Sequence, residues 1–211
     1  MFLLDGKKIN TSLNQRDFAA ITHFFRKIEL SKNGKEFLKT HLQIQQYKNR
    51  EIFLSAGTIC SQLAFILKGQ CREYIKKEND REYTYQFYLK HQWIMNGSFM
   101  QQCPALGNIQ ALGQVRLATL PRSAFDAFCK LFPEGKRFRA LLAEQVACKH
   151  ERHLINLLSK NATERYDFLV EHQPELVNAI AGLHLSSFIS VRPESLSRIR
   201  SSKINGKNDN G

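Results

Sequence analysis

The sequence predicts an α+β fold, with short helices first, a small antiparallel β barrel or sandwich next, and a helical C-terminal part. Apolar residues recur at helical spacing near the start and again beyond Pro121. Between Tyr47 and Leu120 they fall instead in short runs punctuated by Gly57, Gly69, Gly97, Gly107 and Gly113. With 211 residues, 43% hydrophobic and 24% charged, the chain has the size and composition to bury a core.

The elements follow in order. Phe18, Ile21, Phe24, Phe25 and Ile28 set a helical period within Leu13–Leu42, and Ser31-Lys32-Asn33-Gly34 breaks it. Strands are expected at Glu51–Leu54, Leu63–Leu67, Cys71–Ile75, Tyr83–Leu89, Ile109–Leu112 and Val115–Leu120, with Asn79-Asp80 at a hairpin tip. A short helix, Ala124–Leu131, stops at Pro133. A long one, Lys136–Ser159, contains no Gly or Pro and carries Phe138, Leu141, Leu142, Val146, Leu154, Leu157 and Leu158 as a stripe. Its polar break at Lys149–Arg152 suits a core face and a dimer seam equally well. Asn161 and Glu164 have the spacing of a capping box, opening a helix over Ala162–His172. Shorter helices follow at Glu175–Ile180, Leu183–Ile189 and Pro193–Ser201, and then a polar tail.

The charge balance narrows the function. Lys and Arg number 31 against 19 Asp and Glu, a net +12, which favours a polyanionic partner: nucleic acid first, an anionic membrane surface second. No apolar run approaches the ~20 residues of a spanning helix, so no membrane partner is expected. Met1–Lys8 puts its charges after a short apolar patch, the reverse of a secretory signal, so a cytoplasmic protein is expected. The 5 cysteines are scattered without a Cys-x-x-Cys, against a disulfide framework and against a zinc or iron–sulfur site. His150 and His153, next to Cys148, could share a helix face but lack a further ligand, so no metal site is assigned. With no Gly-rich phosphate loop, Gly-x-Ser-x-Gly or His-Glu-x-x-His, no catalytic residue is assigned either, and the chain is not expected to be an enzyme.

Leu183–Ile189 and Pro193–Ser201 are separated only by Ser190-Val191-Arg192, the layout of a helix-turn-helix whose second helix enters the major groove. Leu185, Phe188, Ile189, Val191, Leu196 and Ile199 can lock the two helices together, and Pro193 suits a first helical turn. Glu194, Ser195, Arg198 and Arg200 project from the second helix. Glu accepts from a cytosine amine, Arg pairs with guanine through two bonds, and Ser donates to a base edge or phosphate. Arg198 is expected to read a base, while Arg192, Arg200 and Lys203, with Lys207 beyond them, attract phosphate. Ser187, near the end of the first helix, completes the expected DNA-contacting set.

Glu194-Ser195-Leu196-Ser197-Arg198-Ile199, behind a Ser-Phe-Ile helix, resembles the recognition helix of the Crp/Fnr family of bacterial transcription regulators, most closely its short Bacteroidetes-type members. Tyr47-Lys48-Asn49-Arg50-Glu51-Ile52-Phe53-Leu54-Ser55-Ala56-Gly57 and Phe65-Ile66-Leu67-Lys68-Gly69 resemble the opening of that family's cyclic-nucleotide-binding β-roll. The long helix is similar to its dimerisation helix, and Thr163-Glu164-Arg165-Tyr166 to the start of its DNA-binding domain; the resemblance covers about residues 20–204. It implies N-terminal helices and a β-roll (double-stranded β-helix) sensor over 1–134, a dimerisation helix over 135–160, a helix-turn-helix domain over 161–204 and a disordered tail over 205–211. It also implies a cytoplasmic homodimeric transcription regulator on a palindromic operator in double-stranded DNA, with RNA polymerase as a further partner.

The departures from the family pattern are informative. Ligand-binding members hold the ribose and cyclic phosphate with a Gly-Glu pair and a following Arg-Ser or Arg-Thr. The corresponding stretch here runs from Trp93 to Ile109 without an acidic residue or an Arg, so an effector pocket over Trp93, Asn96, Gly97, Ser98, Phe99 and Asn108 is degenerate. Cyclic AMP is not expected to bind in the family's usual way, and no cofactor is assigned, although the pocket could take another small effector. The cysteine cluster of the oxygen-sensing branch is missing, since the first cysteine is Cys60. In the helix-turn-helix, Ser190 stands where Gly is common, Ser186 is the small residue of the first helix, and Gly182-Leu183 lacks basic character. A competing reading is therefore a cyclic-nucleotide-binding-fold regulator acting through protein–protein contacts, with a degenerate helix-turn-helix.

Overall fold

The computed structural model describes residues 13–208. The start of the chain, the side chain of Lys207 and residues 209–211 lie outside the described residues, and with them the expectations for Met1–Lys8 and the end of the tail. Helix α1 (Gln15–Phe24) begins where Asn14 Oδ1 accepts from the Asp17 N–H at 2.8 Å. A 3₁₀ turn over Phe25–Lys27 follows, and then α2 (Lys32–His41). Ser31 caps α2 by accepting from the Gly34 N–H at 3.0 Å. Ser31–Gly34, expected as a break, is thus the start of a second helix.

Six strands then form one sheet: β1 (Gln43–Tyr47), β2 (Ile52–Leu54), β3 (Gln62–Lys76), β4 (Glu82–Tyr88), β5 (Trp93–Ile94) and β6 (Asn108–Pro121). The order is β1-β6-β3-β4, with β2 on β6 and β5 on β3. Pairing is antiparallel, placing Gln43 opposite Thr119, Leu54 opposite Ile109 and Phe65 opposite Trp93. Strand β1 is not among the expected strands, because Gln45 and Gln46 interrupt its apolar pattern. Leu63–Leu67 and Cys71–Ile75, expected as separate strands, are one strand bent at Gly69, and Ile109–Leu112 and Val115–Leu120 are one strand bent at Gly113. Both glycines have positive φ, +82° and +77°, which turns a strand without ending it. At Gly69 a Cβ would also strike the carbonyl oxygen of Gln114. The hairpin tip is where expected, with Asp80 at φ +62°.

Short helix α3 (Gly97–Gln101) interrupts the sheet, and α4 (Arg122–Leu131) and α5 (Pro133–Ser159) follow it. Pro133 opens α5 as well as closing α4, because a first helical turn has no use for the missing N–H. Then come α6 (Ala162–His172), α7 (Pro174–Ala179), α8 (Gly182–Phe188) and α9 (Pro193–Asn208). Helix α9 continues past Ser201, so the expected tail begins inside it.

The chain forms two compact units. The first comprises the chain to Glu73 together with Tyr88–Cys148, and the second comprises Tyr74–Phe87 together with the chain from Lys149. The division falls inside α5, and the end of the β3–β4 hairpin groups with the C-terminal helices.

An aromatic cluster anchors the first unit. Trp93 meets Phe24, Phe25, Phe65 and Phe138 with ring centroids 5.1 to 6.4 Å apart, and Phe138 also meets Phe125 and Phe128. Phe138 and Leu142 are buried, whereas Leu154, Ile155 and Leu158 farther along α5 are 55%, 53% and 79% exposed. The long stripe therefore splits, with its first turns in the core and its last turns uncovered. Truncating Phe138→Ala should cost ~3–5 kcal/mol, read as a lowered urea midpoint by tryptophan fluorescence.

Candidate functional site

The second unit contains the paired helices. Asn161 Oδ1 accepts from the Glu164 N–H at 3.1 Å, and Glu164 Oε2 accepts from the Asn161 N–H at 2.8 Å, completing the expected capping box of α6. The buried apolar residues of this unit are Tyr74, Phe87, Tyr166, Leu169, Leu176, Ile180, Leu185, Phe188, Ile189 and Leu196. Ser190, between α8 and α9, has φ +57°. Its N–H donates to the Ser187 carbonyl at 3.2 Å, and the Val191 N–H donates to the Ser186 carbonyl at 2.9 Å. This is a Schellman closure, in which Ser occupies the position that glycine fills most cheaply. The chain reverses sharply there and starts α9 at Pro193.

Arg192, just before α9, and Glu194 and Arg198 on it are exposed and Ser195 is half-buried, while Leu196 is buried. Glu194 and Arg198 lie one turn apart and share a face. Arg200 and Lys203 are engaged elsewhere. The Arg200 guanidinium lies 5.6 Å from the Tyr166 ring centre, and Lys203 pairs with Asp167, both on α6. These two cations brace α9 against α6, a contact that their spacing in α9 could not announce. Ser187 is also occupied. Its hydroxyl donates to the Glu82 carbonyl and accepts from the Thr84 N–H, both at 2.9 Å, joining α8 to the hairpin. Phe188 beside it packs against Phe87 at 5.2 Å and stacks on His153 at 4.2 Å. Burial, with the positive charge of His150 and Arg165 nearby, pushes the His153 pKa down to about 4.

In the first unit the expected effector residues have structural partners. Asn96 caps α3 by accepting from the Phe99 N–H at 3.0 Å. Ser98 accepts from the Cys60 N–H at 2.9 Å and donates to the Cys103 carbonyl at 2.6 Å. Phe99 is fully buried against Phe125, Trp93 belongs to the aromatic cluster, and Asn108 accepts from the Ala56 N–H at 3.0 Å. At Gly97 a side chain would meet open space. The residue that sequence reasoning missed is Glu73 on β3, 2% exposed. Its carboxylate accepts from the Tyr88 hydroxyl at 2.6 Å and from Asn96 Nδ2 at 3.0 Å. The adjacent charges Arg72-Glu73 inside an apolar strand were its only signal. Arg122, at the start of α4, donates to the Phe99 carbonyl and pairs with Asp126 at 2.7 Å. Among the described residues no cluster of His, Cys, Asp and Glu could hold a metal ion, and no helix is long and apolar enough to cross a membrane.

Residues 44–131 match the cyclic nucleotide-binding domain family. No curated protein matches the sequence. Among solved structures, FixK2 from Bradyrhizobium japonicum superposes with a TM-score of 0.71 at 16% identity, covering 79% of this chain and 86% of its own. The c-di-GMP responsive global regulator CLP of Xanthomonas campestris gives 0.65 at 14% identity, covering 83% and 93%. A transcriptional regulator assigned to the Crp/Fnr family from Eubacterium rectale gives 0.65 at 17% identity, covering 84% and 85%. The fold is thus that of Crp/Fnr-type regulators: a cyclic-nucleotide-binding β-roll, a long helix and a helical C-terminal unit.

Two outcomes follow from the second unit. Replacing Ser190→Gly removes a left-handed L-residue from the turn and should raise stability by up to ~1 kcal/mol in thermal melts. His153 is neutral when folded but takes up a proton below pH 6.5 when unfolded. Its contribution is therefore complete above pH 6.5 and is lost as pH falls toward 4. His153→Gln should flatten that part of a melting-temperature profile.

Proposed function

We propose that the protein is a homodimeric DNA-binding transcription regulator of the Crp/Fnr type, with a β-roll effector domain that does not take cyclic AMP in the usual way. The observation that carries this reading is the exposed Glu194 and Arg198 on a helix that follows a closed helix-turn-helix turn, with Arg192 exposed at the end of that turn. A guanidinium there can span the two acceptors of guanine, and Glu194 can accept from a cytosine amine. The net +12 supplies long-range attraction to a polyanion. A dimer would seat two such helices on half-sites ~34 Å apart, and the uncovered Leu154, Ile155 and Leu158 offer the apolar surface for it. Bound to DNA, it would work in the cytoplasm with RNA polymerase as its further partner. No catalytic residue or resident cofactor is assigned.

Against cyclic AMP stand the absence of any acid or Arg from Trp93 to Ile109 and the carboxylate of Glu73 hydrogen-bonded to Asn96. An anionic phosphate beside that carboxylate would meet a like charge. The second reading, a regulator acting through protein contacts, draws support from the engagement of Ser187, Arg200 and Lys203 within the unit.

Titration of a duplex found by unbiased selection, read by fluorescence anisotropy across a salt series with light scattering of the complex, separates the two readings. DNA regulation predicts a steep salt slope, two chains per duplex, and a loss of ~1–3 kcal/mol with relaxed preference at one base pair in Arg198→Ala. Equal, weak binding to all duplexes, unchanged by that substitution, would leave the protein-contact reading standing.

A further inference from the structure

We propose that a groove between α1 and α2 is a binding site for a small monocarboxylic acid with an apolar body, an arylalkanoate in chemical class. The groove has a volume of about 610 Å³, within the ~300–1,000 Å³ of small-molecule sites. It is lined by the end of α1, the 3₁₀ turn and the first turn of α2, all within the first unit. It shares no residue with the expected effector segment, and its occupancy depends on neither DNA binding nor dimerisation.

A closed turn parts the two helices. The Ile28 and Glu29 N–H groups both donate to the Phe25 carbonyl, at 2.8 and 3.1 Å. Glu29 then takes φ +55°, a left-handed conformation that few residues with a side chain adopt. Two residues on, Ser31 caps α2. Phe25, Arg26, Glu29 and Leu30 of this connection all line the groove.

The lining divides by chemistry. Phe25 and Leu30 are buried members of the hydrophobic core and give the groove an apolar floor. His23, Arg26, Glu29 and Lys35 line it as exposed side chains. Among the described residues none of these four makes an ion pair or a side-chain hydrogen bond. By contrast, Arg116 pairs with Asp17 and Arg122 with Asp126 in the same unit. Two unpaired cations and a histidine beside an apolar floor complement a carboxylate whose body displaces water from that floor. Arg26 offers a planar fork that matches both carboxylate oxygens, and Lys35 a mobile point charge. The positive character continues next to His23, where burial and the charge of Lys90 and His23 push the His91 pKa down. Glu29 is the one acid among the described lining residues. It opposes a second negative charge on the ligand, which restricts the class to monoanions.

The test titrates the full chain with 3-phenylpropionate by isothermal titration calorimetry, in parallel with the fluorescence of Trp93. Trp93 is the only tryptophan, and its ring centre lies 6.4 Å from that of Phe25 in the groove floor. Saturable binding with a Kd of about 1 mM or tighter is expected, together with a change in Trp93 emission. Phenethylamine, similar in size but cationic, should bind at least ~10-fold more weakly, as should the dianion phenylsuccinate. Replacing Arg26→Gln together with Lys35→Gln changes two exposed side chains, so the fold is kept. That double variant should lose about tenfold or more in affinity for 3-phenylpropionate. Glu29→Gln should narrow the gap between phenylsuccinate and 3-phenylpropionate. Absence of saturable binding, equal binding of phenethylamine, or a double variant that binds as tightly as the unaltered chain would overturn the proposal.

Discussion

The aromatic cluster around Trp93 and Phe138 is the contact on which the first unit depends. It collects side chains from α1 and the following 3₁₀ turn, from β3 and β5, and from the first turns of α5. Rings at these edge-to-face separations contribute by burial and by quadrupole geometry together. Holding Phe138 and Leu142 in the core commits the start of α5 to the β-roll. On the later turns of the same helix Leu154, Ile155 and Leu158 are exposed.

In the second unit the corresponding role falls to Phe188 and the turn after it. Phe188 lies between Phe87 of the hairpin and His153 of α5, and Ser187 beside it is hydrogen-bonded to the hairpin backbone. The hairpin is therefore a structural part of the unit that carries the helix-turn-helix, although in sequence it belongs to the β-roll strands. The closure at Ser190 then sets the direction in which α9 departs. Arg200 and Lys203 secure α9 from behind, leaving Arg192, Glu194 and Arg198 on the open side.

The expected effector segment has a different character from the one its resemblance suggests. Asn96 and Ser98 spend their polar atoms on backbone and on Glu73, and Trp93 and Phe99 serve the core. A buried carboxylate with two donors is a satisfied polar group, and its charge disfavours an anion beside it.

The sequence by itself determined the features that local forces decide. The capping box of Asn161 and Glu164 set the start of α6, Pro133 and Pro174 marked the ends of α4 and α6, Pro193 marked the start of α9, and the alternation of polar and apolar residues located most strands. The α8–α9 pair and the exposed positions of Glu194 and Arg198 were legible because helical period alone assigns them a face. Tertiary structure decided what depends on distant partners. Only strand pairing could join segments across Gly69 and Gly113, because a glycine reads equally as a turn or as a bend within a strand. Only packing could send Arg200 and Lys203 to α6 and bring Glu73 to Asn96, since each contact joins residues whose spacing along the chain carries no trace of it.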